Sequence, residues 1–293
     1  MFKSSVVSYP ERGHYGNARY RGNTTGKIIV DLIESFLPKN GLFIDPAIGG
    51  GTSVDVAKEL GLGENQFAGF DLHSGFNLLR DDLLNAVGRP ADLALFHPPY
   101  GGMVRYSGNM WGAEPHKDDL SQMSDDDFPQ ALKLALVNIS DAVKPGGHYA
   151  VLIGNQRKNG KYLNWSSLTE RLAPDPLVDE IIKQQSNCTS DSKVYSKQIV
   201  RISHEKLLVF RKSPTVNAIS SLERSIASMY SVYMDDLLVT LKRMMQCYEW
   251  SESELVGSLQ HLNQLGPFDL PSSISTLLNS EHFVMRNGRY KIS

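Results

Sequence analysis

The stretch that decides the fold is residues 41–52, which read GLFIDPAIGGGT. Residues 41–45 form an apolar run that Pro46 stops, which predicts a buried strand, and the pattern of residues 54–60 predicts a helix. Glycines in the turn between them allow positive φ angles and let the backbone approach a ligand closely. Ligands of open α/β sheets bind at the carboxyl ends of strands. The stretch therefore predicts an α/β unit with a ligand-binding turn.

Two other interpretations of this turn remain open. It could be a tight strand–helix connection that holds no ligand, or a dinucleotide site, although the full G-x-G-x-x-G spacing is missing. The next apolar run ends in Asp71, 26 residues after Asp45. An acidic residue at that place can accept hydrogen bonds from both hydroxyls of a ribose.

Outside this stretch, apolar runs alternate with helical patterns. Strands are predicted at residues 66–71, 91–97, 148–153, 178–184 and 206–210, and helices at residues 27–38, 128–143 and 166–172. Residues 78–87 are ambiguous. Strands that are separated by helices predict a mixed, mostly parallel sheet with helices on both faces.

The character of the chain changes at residues 212–214. Residues 220–278 show helical spacing, and residues 283–292 predict a hairpin around Asn287-Gly288. We expect a domain of residues 1–213, whose residues 1–27 form an N-terminal arm, and a small, mainly helical domain of residues 214–293. Helices followed by a hairpin would fit a winged-helix-like module, although this combination is also common by chance.

A second motif, His97-Pro98-Pro99-Tyr100, ends the strand predicted at residues 91–97. Two prolines end the hydrogen-bond ladder and fix φ at both positions, so the local backbone is rigid. A rigid carbonyl can hold an exocyclic amino group, and the tyrosine can offer a flat face to a planar base. The alternative is that the prolines merely end the strand and that Tyr100 packs at its rim.

The two motifs in this order resemble the S-adenosylmethionine-dependent amino methyltransferases of DNA, the N6-adenine and N4-cytosine class. Residues 21–27 (RGNTTGK) look like the segment of that family that closes over the methionine end of the cofactor. Residues 144–148 and 204–212 resemble its late core, so the similarity covers roughly residues 20–212. The resemblance implies a Rossmann-like methyltransferase fold and S-adenosyl-L-methionine as the cofactor.

The resemblance also implies roles for individual residues. Asp45 and Gly49 to Gly51 would line the methionine part of the cofactor, and Asp71 would bind its ribose. Asp82, or nearly as well Asp81, would accept a hydrogen bond from the adenine amino group. The implied cofactor-binding set is Gly22, Asn23, Thr24, Asp45, Pro46, Gly49, Gly51, Thr52, Asp71, Leu72, Asp82 and His97. The implied catalytic set, which would hold the target base, is His97, Pro98, Pro99 and Tyr100.

His97 departs from the family, which usually has Asp, Asn or Ser at this position. A neutral imidazole can accept one hydrogen bond, whereas a protonated imidazole accepts none. The resemblance implies transfer of a methyl group to the exocyclic amino group of a flipped base in DNA, with adenine N6 as the first expectation, although the departure at His97 weakens the choice between adenine and cytosine. N4-cytosine methylation, N2-guanine methylation of RNA and a catalytically silent cofactor-binding module remain alternatives.

The charge balance excludes a uniformly basic nucleic-acid binder, because the chain has 30 Lys and Arg residues and 32 Asp and Glu residues. Local basic and aromatic positions are candidates for DNA contact, although each could equally belong to a solvated loop. They are Arg19, Arg21, Arg105, Tyr106, Trp111, Lys193, Lys197 and Arg201. Residues 101–127 form a long segment that could close over the site or contact substrate.

Other function classes find no support in the sequence. Its only cysteines, Cys188 and Cys247, are far apart, and the eight histidines show no HxxxH or HExxH spacing, so no metal site is expected. No apolar run is long enough for a membrane span or a signal peptide, which predicts a cytoplasmic protein without a membrane partner. A homodimer through the C-terminal part is compatible with its composition.

Overall fold

The apolar runs of the sequence become strands of one central sheet in the computed structural model. The structure describes residues 1–100, 102, 104–185, 199–214, 218–246, 248–264 and 268–293, and of residues 218–224 and 264 it describes the backbone. The chain divides into two units, Met1–Ser221 and Leu222–Ser293, whereas the sequence suggested a boundary at residue 213.

In the described part of the first unit, seven strands form the central sheet. They are β1 (Val6–Ser8), β2 (Phe43–Asp45), β3 (Phe67–Gly69), β4 (Ala91–Phe96), β5 (Val143–Gly154), β8 (Leu177–Gln184) and β9 (His204–Arg211). Their order is β1-β8-β9-β5-β4-β2-β3, and all pairs are parallel except those that β9 makes. A separate hairpin joins β6 (Gln156–Lys158) to β7 (Lys161–Leu163).

Helices cover both faces of this sheet. One face packs on α1 (Gly26–Phe36) and α2 (Thr52–Glu59), and the other on α3 (Leu83–Val87), α4 (Phe128–Ala142) and α5 (Trp165–Leu172). Successive residues of β4 alternate between these two cores: Leu93 and Leu95 join the first, Ala94 and Phe96 the second. This alternation buries both faces of the strand, as a parallel sheet requires. The predicted Rossmann-like α/β fold is confirmed.

The strand order places the two sequence motifs next to each other. From β2 the chain crosses to β3 on one side, and β4 then pairs with β2 on the other side. The carboxyl ends of β2 and β4 therefore border the crevice at the point where the winding direction changes, which is where open α/β sheets bind ligands.

Three segments differ from the sequence-based prediction. The N-terminal arm contributes β1, which pairs with β8 at the sheet edge. β5 begins at Val143 and includes the Lys144-Pro145-Gly146-Gly147 turn, because Gly146 N donates to Lys212 O at 2.9 Å and Lys212 N donates to Gly147 O at 2.8 Å. The β6–β7 hairpin was not predicted because each strand has three residues and a mixed polar pattern.

The second unit begins within α6 (Ala218–Met244) and contains the rest of that helix. It also contains α7 (Glu252–Leu259), α8 (Leu270–Leu278) and the predicted hairpin of β10 (Phe283–Arg286) and β11 (Arg289–Ile292). Its core contains Leu241, Leu255, Ile274 and Phe283. Trp250, between α6 and α7, forms an antiparallel bridge with Tyr290 of β11. The predicted helices and hairpin are present, and the winged-helix-like module stays a prediction. No helix in the described residues is long and apolar enough to cross a membrane.

Candidate active site

The glycine turn begins where β2 ends in a buried carboxylate. Asp45 Oδ1 accepts a hydrogen bond from Ala47 N at 2.9 Å, which holds the first residues of the turn. Burial raises the pKa of Asp45 to about 6, because desolvation penalises the charged form. Gly51 caps α2 with φ of 81°, a left-handed conformation that side chains other than glycine rarely adopt.

Asp71 connects the end of β3 to this turn. Its Oδ2 accepts a hydrogen bond from Gly49 N at 2.9 Å, and its Oδ1 accepts one from His73 N at 2.9 Å. Asp71 is buried, and it caps the short 3-10 helix Leu72–Ser74. Because each carboxylate oxygen has two lone pairs, both oxygens can accept one further hydrogen bond from a ligand.

A first cavity lies over the glycine turn and Asp71. Of the residues that the sequence assigned to the cofactor, those that line it are Gly22, Asn23, Pro46, Gly49, Asp71, Leu72 and His97. Apolar walls come from Leu72, Leu79 and Phe96, and Asn77 adds an amide. The cavity thus combines a hydroxyl-binding carboxylate with flat apolar surface, which is suited to a nucleoside.

Four stacked rings, which we call the aromatic cap, lie at this cavity, and three of them, Tyr20, Tyr106 and Trp111, line it. They are His73, Trp111, Tyr106 and Tyr20, with centroid distances of 5.3, 5.5 and 5.2 Å between successive rings. Trp111 Nε1 donates to Tyr20 Oη at 3.3 Å, and Tyr106 Oη donates to the Arg21 carbonyl at 3.0 Å. A side chain at Gly22 would collide with the Tyr106 hydroxyl, so the cap needs a glycine there.

The cap includes two residues, Tyr106 and Trp111, that the sequence suggested for nucleic-acid contact. Tyr106 is buried and Trp111 is half-buried. Both line the first cavity, and Tyr106 also lines a second cavity described below. Asp119 anchors their segment: its Oδ2 accepts from Ser107 N at 2.8 Å and its Oδ1 from Ser121 N at 2.9 Å. Trp111 therefore borders the first cavity, Tyr106 borders both, and contact of either residue with nucleic acid stays a prediction.

His97 stands between the first cavity and a second one. It is half-buried at the end of β4 and lines both cavities, as does Pro99. Burial lowers the pKa of His97 below its usual value of 6.5, Glu205 opposes this effect, and Lys183 reinforces it. His97 is therefore a neutral imidazole at pH 7, which can accept a hydrogen bond.

The second cavity holds an ion pair that the sequence did not single out. Lys183 and Glu205 are directly opposite in the β8–β9 register, with Lys183 Nζ 2.6 Å from Glu205 Oε2. Both are buried, and the Tyr100 hydroxyl donates to Glu205 Oε1 at 3.4 Å. The sequence does contain a signal for this pair. Lys183 and Glu205 are two positions from the apolar residues Ile181 and Leu207, so each charged side chain lies on the buried face of its strand.

The second cavity also includes polar groups from the N-terminal part. Tyr9 and Arg12 line it together with Thr24, whose buried hydroxyl oxygen has no hydrogen-bond partner among the described residues. A buried unpaired hydroxyl is costly unless a water or a ligand satisfies it. Thr24, which the resemblance assigned to the cofactor, thus faces the second cavity. The N-terminal arm completes this site.

Other predicted cofactor residues have supporting or different positions. Thr52 starts α2, and its hydroxyl donates to the Asn23 side chain. The resemblance implied an adenine contact for Asp82 or Asp81, and among the described residues neither lines the first or the second cavity. Asp82 accepts from Asn85 N at 3.0 Å as the N-cap of α3, and Asn77 lines the first cavity.

The predicted basic contacts are at the surface. Arg19, Arg21 and Arg105 are exposed next to residues of the cap, and Arg201 is exposed after the end of β8. Lys193 and Lys197 lie outside the described residues. In the part of the chain that the structure describes, no group of three or more His, Cys, Asp or Glu residues could hold a metal ion.

Comparisons with known proteins do not define a family for this chain. No family model and no curated protein match it. Among solved structures, TrmN from Thermus thermophilus aligns over 67% of this chain and 51% of its own length, with 15% identity and a TM-score of 0.41. An rRNA methylase from Streptococcus thermophilus aligns over 64% of this chain and 95% of its own length, with 14% identity and a TM-score of 0.32.

TTHA0409 from Thermus thermophilus, a proposed DNA modification methylase solved with S-adenosyl-L-methionine, aligns over 60% of this chain, with 12% identity and a TM-score of 0.30. The chain spans 51% of the TrmN chain and 57% of the TTHA0409 chain. These similarities are too low to assign a function. The fold of this chain is defined by its own strand order.

Proposed function

We propose that the chain is an S-adenosylmethionine-dependent methyltransferase that acts on the exocyclic amino group of a flipped base in DNA, with adenine N6 as the target. The observation that carries the proposal is the position of His97 at the end of β4, where it lines both cavities. Direct transfer between two bound molecules requires two sites that share an edge. The His97-Pro98-Pro99 segment provides that edge.

The residues of the first cavity fit S-adenosylmethionine. Asp71 offers two acceptor oxygens for ribose hydroxyls, and Leu72, Leu79 and Phe96 offer apolar surface for a purine ring. When bound, this cofactor supplies a methyl group on a positively charged sulfur. Asp71 and Asp119 give the lining negative charge, which favours a cationic ligand.

The residues of the second cavity fit an amino group on a planar ring. Such a nitrogen is a poor nucleophile because its lone pair is delocalised into the ring. Neutral His97 can accept a hydrogen bond from one N–H, and the rigid Pro98 carbonyl can accept one from the other. Two acceptors on one amino group favour the geometry in which the lone pair points at the methyl donor.

A base in duplex DNA must leave the stack to reach this cavity. Flipping costs a few kcal/mol. Aromatic stacking can return ~1–3 kcal/mol per base, and Tyr100 is the aromatic residue that follows the two prolines. Exposed Arg19, Arg21 and Arg105 lie next to the cap in sequence and would contact phosphates near the cavity mouth.

Incubation with methyl-labelled S-adenosylmethionine tests the proposal. The purified chain is mixed with unmodified duplex DNA or with RNA, and the product is digested to nucleosides and separated. We expect labelled N6-methyladenine from DNA. Labelled N4-methylcytosine would change the target base, N2-methylguanine from RNA alone would replace DNA as substrate, and absence of any product would contradict the methyltransferase proposal.

A pair of aspartate variants controls this experiment. Asp71→Asn removes the negative charge and one of the two buried acceptor oxygens at the first cavity, whereas Asp179→Asn removes an exposed carboxylate on β8. We expect product from the Asp179 variant at the wild-type level and strongly reduced product from the Asp71 variant. Equal product from the two variants would show that methylation does not use the first cavity.

A further inference from the structure

We infer that the buried Lys183–Glu205 pair poises His97 to take up the proton that the amino group must release on methylation. The inference rests on the proposed function, because it assigns a step to the same site. It makes His97 more than a hydrogen-bond acceptor, and it makes Lys183 and Glu205 positioning residues that act through His97.

The Lys183–Glu205 pair occupies positions on a sheet face that is otherwise apolar. Lys183 and Glu205 face each other on β8 and β9, on the sheet face that carries Ile181 and Leu207. Their charged atoms are 2.6 Å apart, and both residues line the second cavity together with His97. A buried ion pair is weak evidence for a stabilising role, because its desolvation offsets much of its attraction. A role in the chemistry of the cavity explains its position better.

The two charges act on His97 in opposite directions. Glu205 favours the protonated imidazole, and Lys183 disfavours it. The interaction with Glu205 is mutual, because Lys183 and His97 both lower the pKa of the Glu205 carboxyl. His97 is therefore neutral before the reaction, and the Glu205 carboxylate, which lines the same cavity, stabilises the imidazolium that forms during the reaction.

Other ionisable groups also face the two cavities. In the described residues, the charged groups that line them besides the pair are Arg12, Asp71, Asp118 and Asp119. The phenols are Tyr9, Tyr20, Tyr100 and Tyr106, and burial is the largest cause that raises the pKa of each, so they stay neutral near pH 7. Lys183 and Glu205 are the charges that shift the His97 equilibrium.

The proton balance requires such an acceptor. During transfer the methyl carbon–sulfur bond breaks, its electron pair stays on sulfur, and the nitrogen lone pair forms the new carbon–nitrogen bond. The nitrogen then carries a positive charge and must lose one N–H proton. A free ring nitrogen of His97 takes that proton, so the positive charge ends on the imidazolium beside Glu205 and the methylated amino group is neutral.

Histidine NMR on the full chain tests the electrostatic part without any substrate. The His97 signal is the one missing from His97→Asn, and its titration is followed in Glu205→Gln and Lys183→Gln. We expect the midpoint to move down by about one pH unit in Glu205→Gln and up by about one pH unit in Lys183→Gln. Unchanged midpoints, or shifts in the same direction, would overturn the inference.

The pH dependence of kcat/KM tests the catalytic part. Its acidic limb should move with the NMR midpoint, down in Glu205→Gln and up in Lys183→Gln. If the wild type methylates a base but the limb stays fixed while the NMR midpoint moves, His97 is not the proton acceptor and the inference fails alone. If the NMR midpoints move and no nucleic acid is methylated by the wild type, the proposed function fails as well.

Matched controls lie on the same two strands. Lys206 and Glu180 form an ion pair of 2.9 Å on the opposite sheet face, so Glu180→Gln and Lys206→Gln should leave the His97 titration unchanged. Single removal of one buried charge can unfold a protein. The double variant Lys183→Gln/Glu205→Gln avoids an unpaired buried charge, and its His97 midpoint should lie between those of the two single variants. A midpoint outside that interval would overturn the inference.

Discussion

The carboxylate of Asp71 holds the backbone N–H of Gly49 at 2.9 Å, and this bond joins the ends of two neighbouring parallel strands into one binding surface. Asp71 follows β3, and Gly49 belongs to the turn after β2. The same carboxylate also orders the start of the 3-10 helix through His73 N. One side chain thus shapes the glycine turn and offers acceptor oxygens to the first cavity.

Replacing Asp71 should therefore weaken cofactor binding. In Asp71→Asn, one acceptor oxygen becomes a donor and the negative charge is lost. A hydrogen bond to a charged group contributes ~1.5–3 kcal/mol. We expect the Kd for S-adenosylmethionine to rise ~10- to 100-fold in isothermal titration calorimetry. Asp179→Asn should bind like the wild type, and equal affinities of the two variants would remove Asp71 from the cofactor site.

Activity should fall as the pH drops through the pKa of His97. Burial holds this pKa below 6.5, and the protonated ring cannot accept a hydrogen bond, so the acidic limb of kcat/KM should lie below pH 6.5. His97→Asn should lose this limb, because an amide oxygen accepts at every pH in the range. A His97→Asn variant with an unchanged acidic limb would contradict a role of His97 in the reaction.

Tyr100 should contribute through its ring more than through its hydroxyl. The bond from its hydroxyl to Glu205 is long, at 3.4 Å, whereas base stacking contributes ~1–3 kcal/mol. We expect kcat/KM for DNA to fall ~5- to 150-fold in Tyr100→Ala and to stay within about threefold in Tyr100→Phe. Both variants should keep the wild-type Kd for the cofactor. Full methyl transfer by Tyr100→Ala would refute the stacking role.

Replacing Trp111 should lower the affinity for the cofactor and leave the affinity for DNA unchanged. Its ring stacks on Tyr106 and His73, and each aromatic pair contributes ~0.5–1.5 kcal/mol beyond its buried area. We expect the cofactor Kd of Trp111→Ala to rise about tenfold. DNA affinity, measured by fluorescence anisotropy, should stay within about twofold. The reverse pattern would place Trp111 in the nucleic-acid interface, as its sequence position first suggested.

Exposed arginines next to the cap should set the salt dependence of DNA binding. Each phosphate contact contributes ~0.9 to the slope of log K against log salt concentration. We expect Arg19→Ala, Arg21→Ala and Arg105→Ala each to reduce this slope by about 1. Lys39→Ala is the control, because exposed Lys39 lies between α1 and the amino end of β2. Slopes that match the control would exclude these arginines from the interface.

Much of the fold could be predicted because its signals are local. Apolar runs, proline stops and glycine turns follow from neighbouring residues, so β2, β4 and α4 appeared near their predicted places. Asp82 shows where local reasoning is ambiguous: the resemblance gave it a cofactor contact, and in the structure its carboxylate caps α3. An aspartate just before a helix has two competing uses, and spacing alone does not separate them.

The sequence by itself determined the alternation of strands and helices, the glycine turn, Asp71 and the His97-Pro98-Pro99-Tyr100 segment. Only the tertiary structure decided the contacts between distant segments. The Tyr106 hydroxyl reaches the carbonyl of a residue 85 positions away, and Lys183 meets Glu205 across 22 positions. Such contacts depend on which strands are neighbours and in which register, and a hydrophobic pattern fixes the face of each strand without fixing its partner.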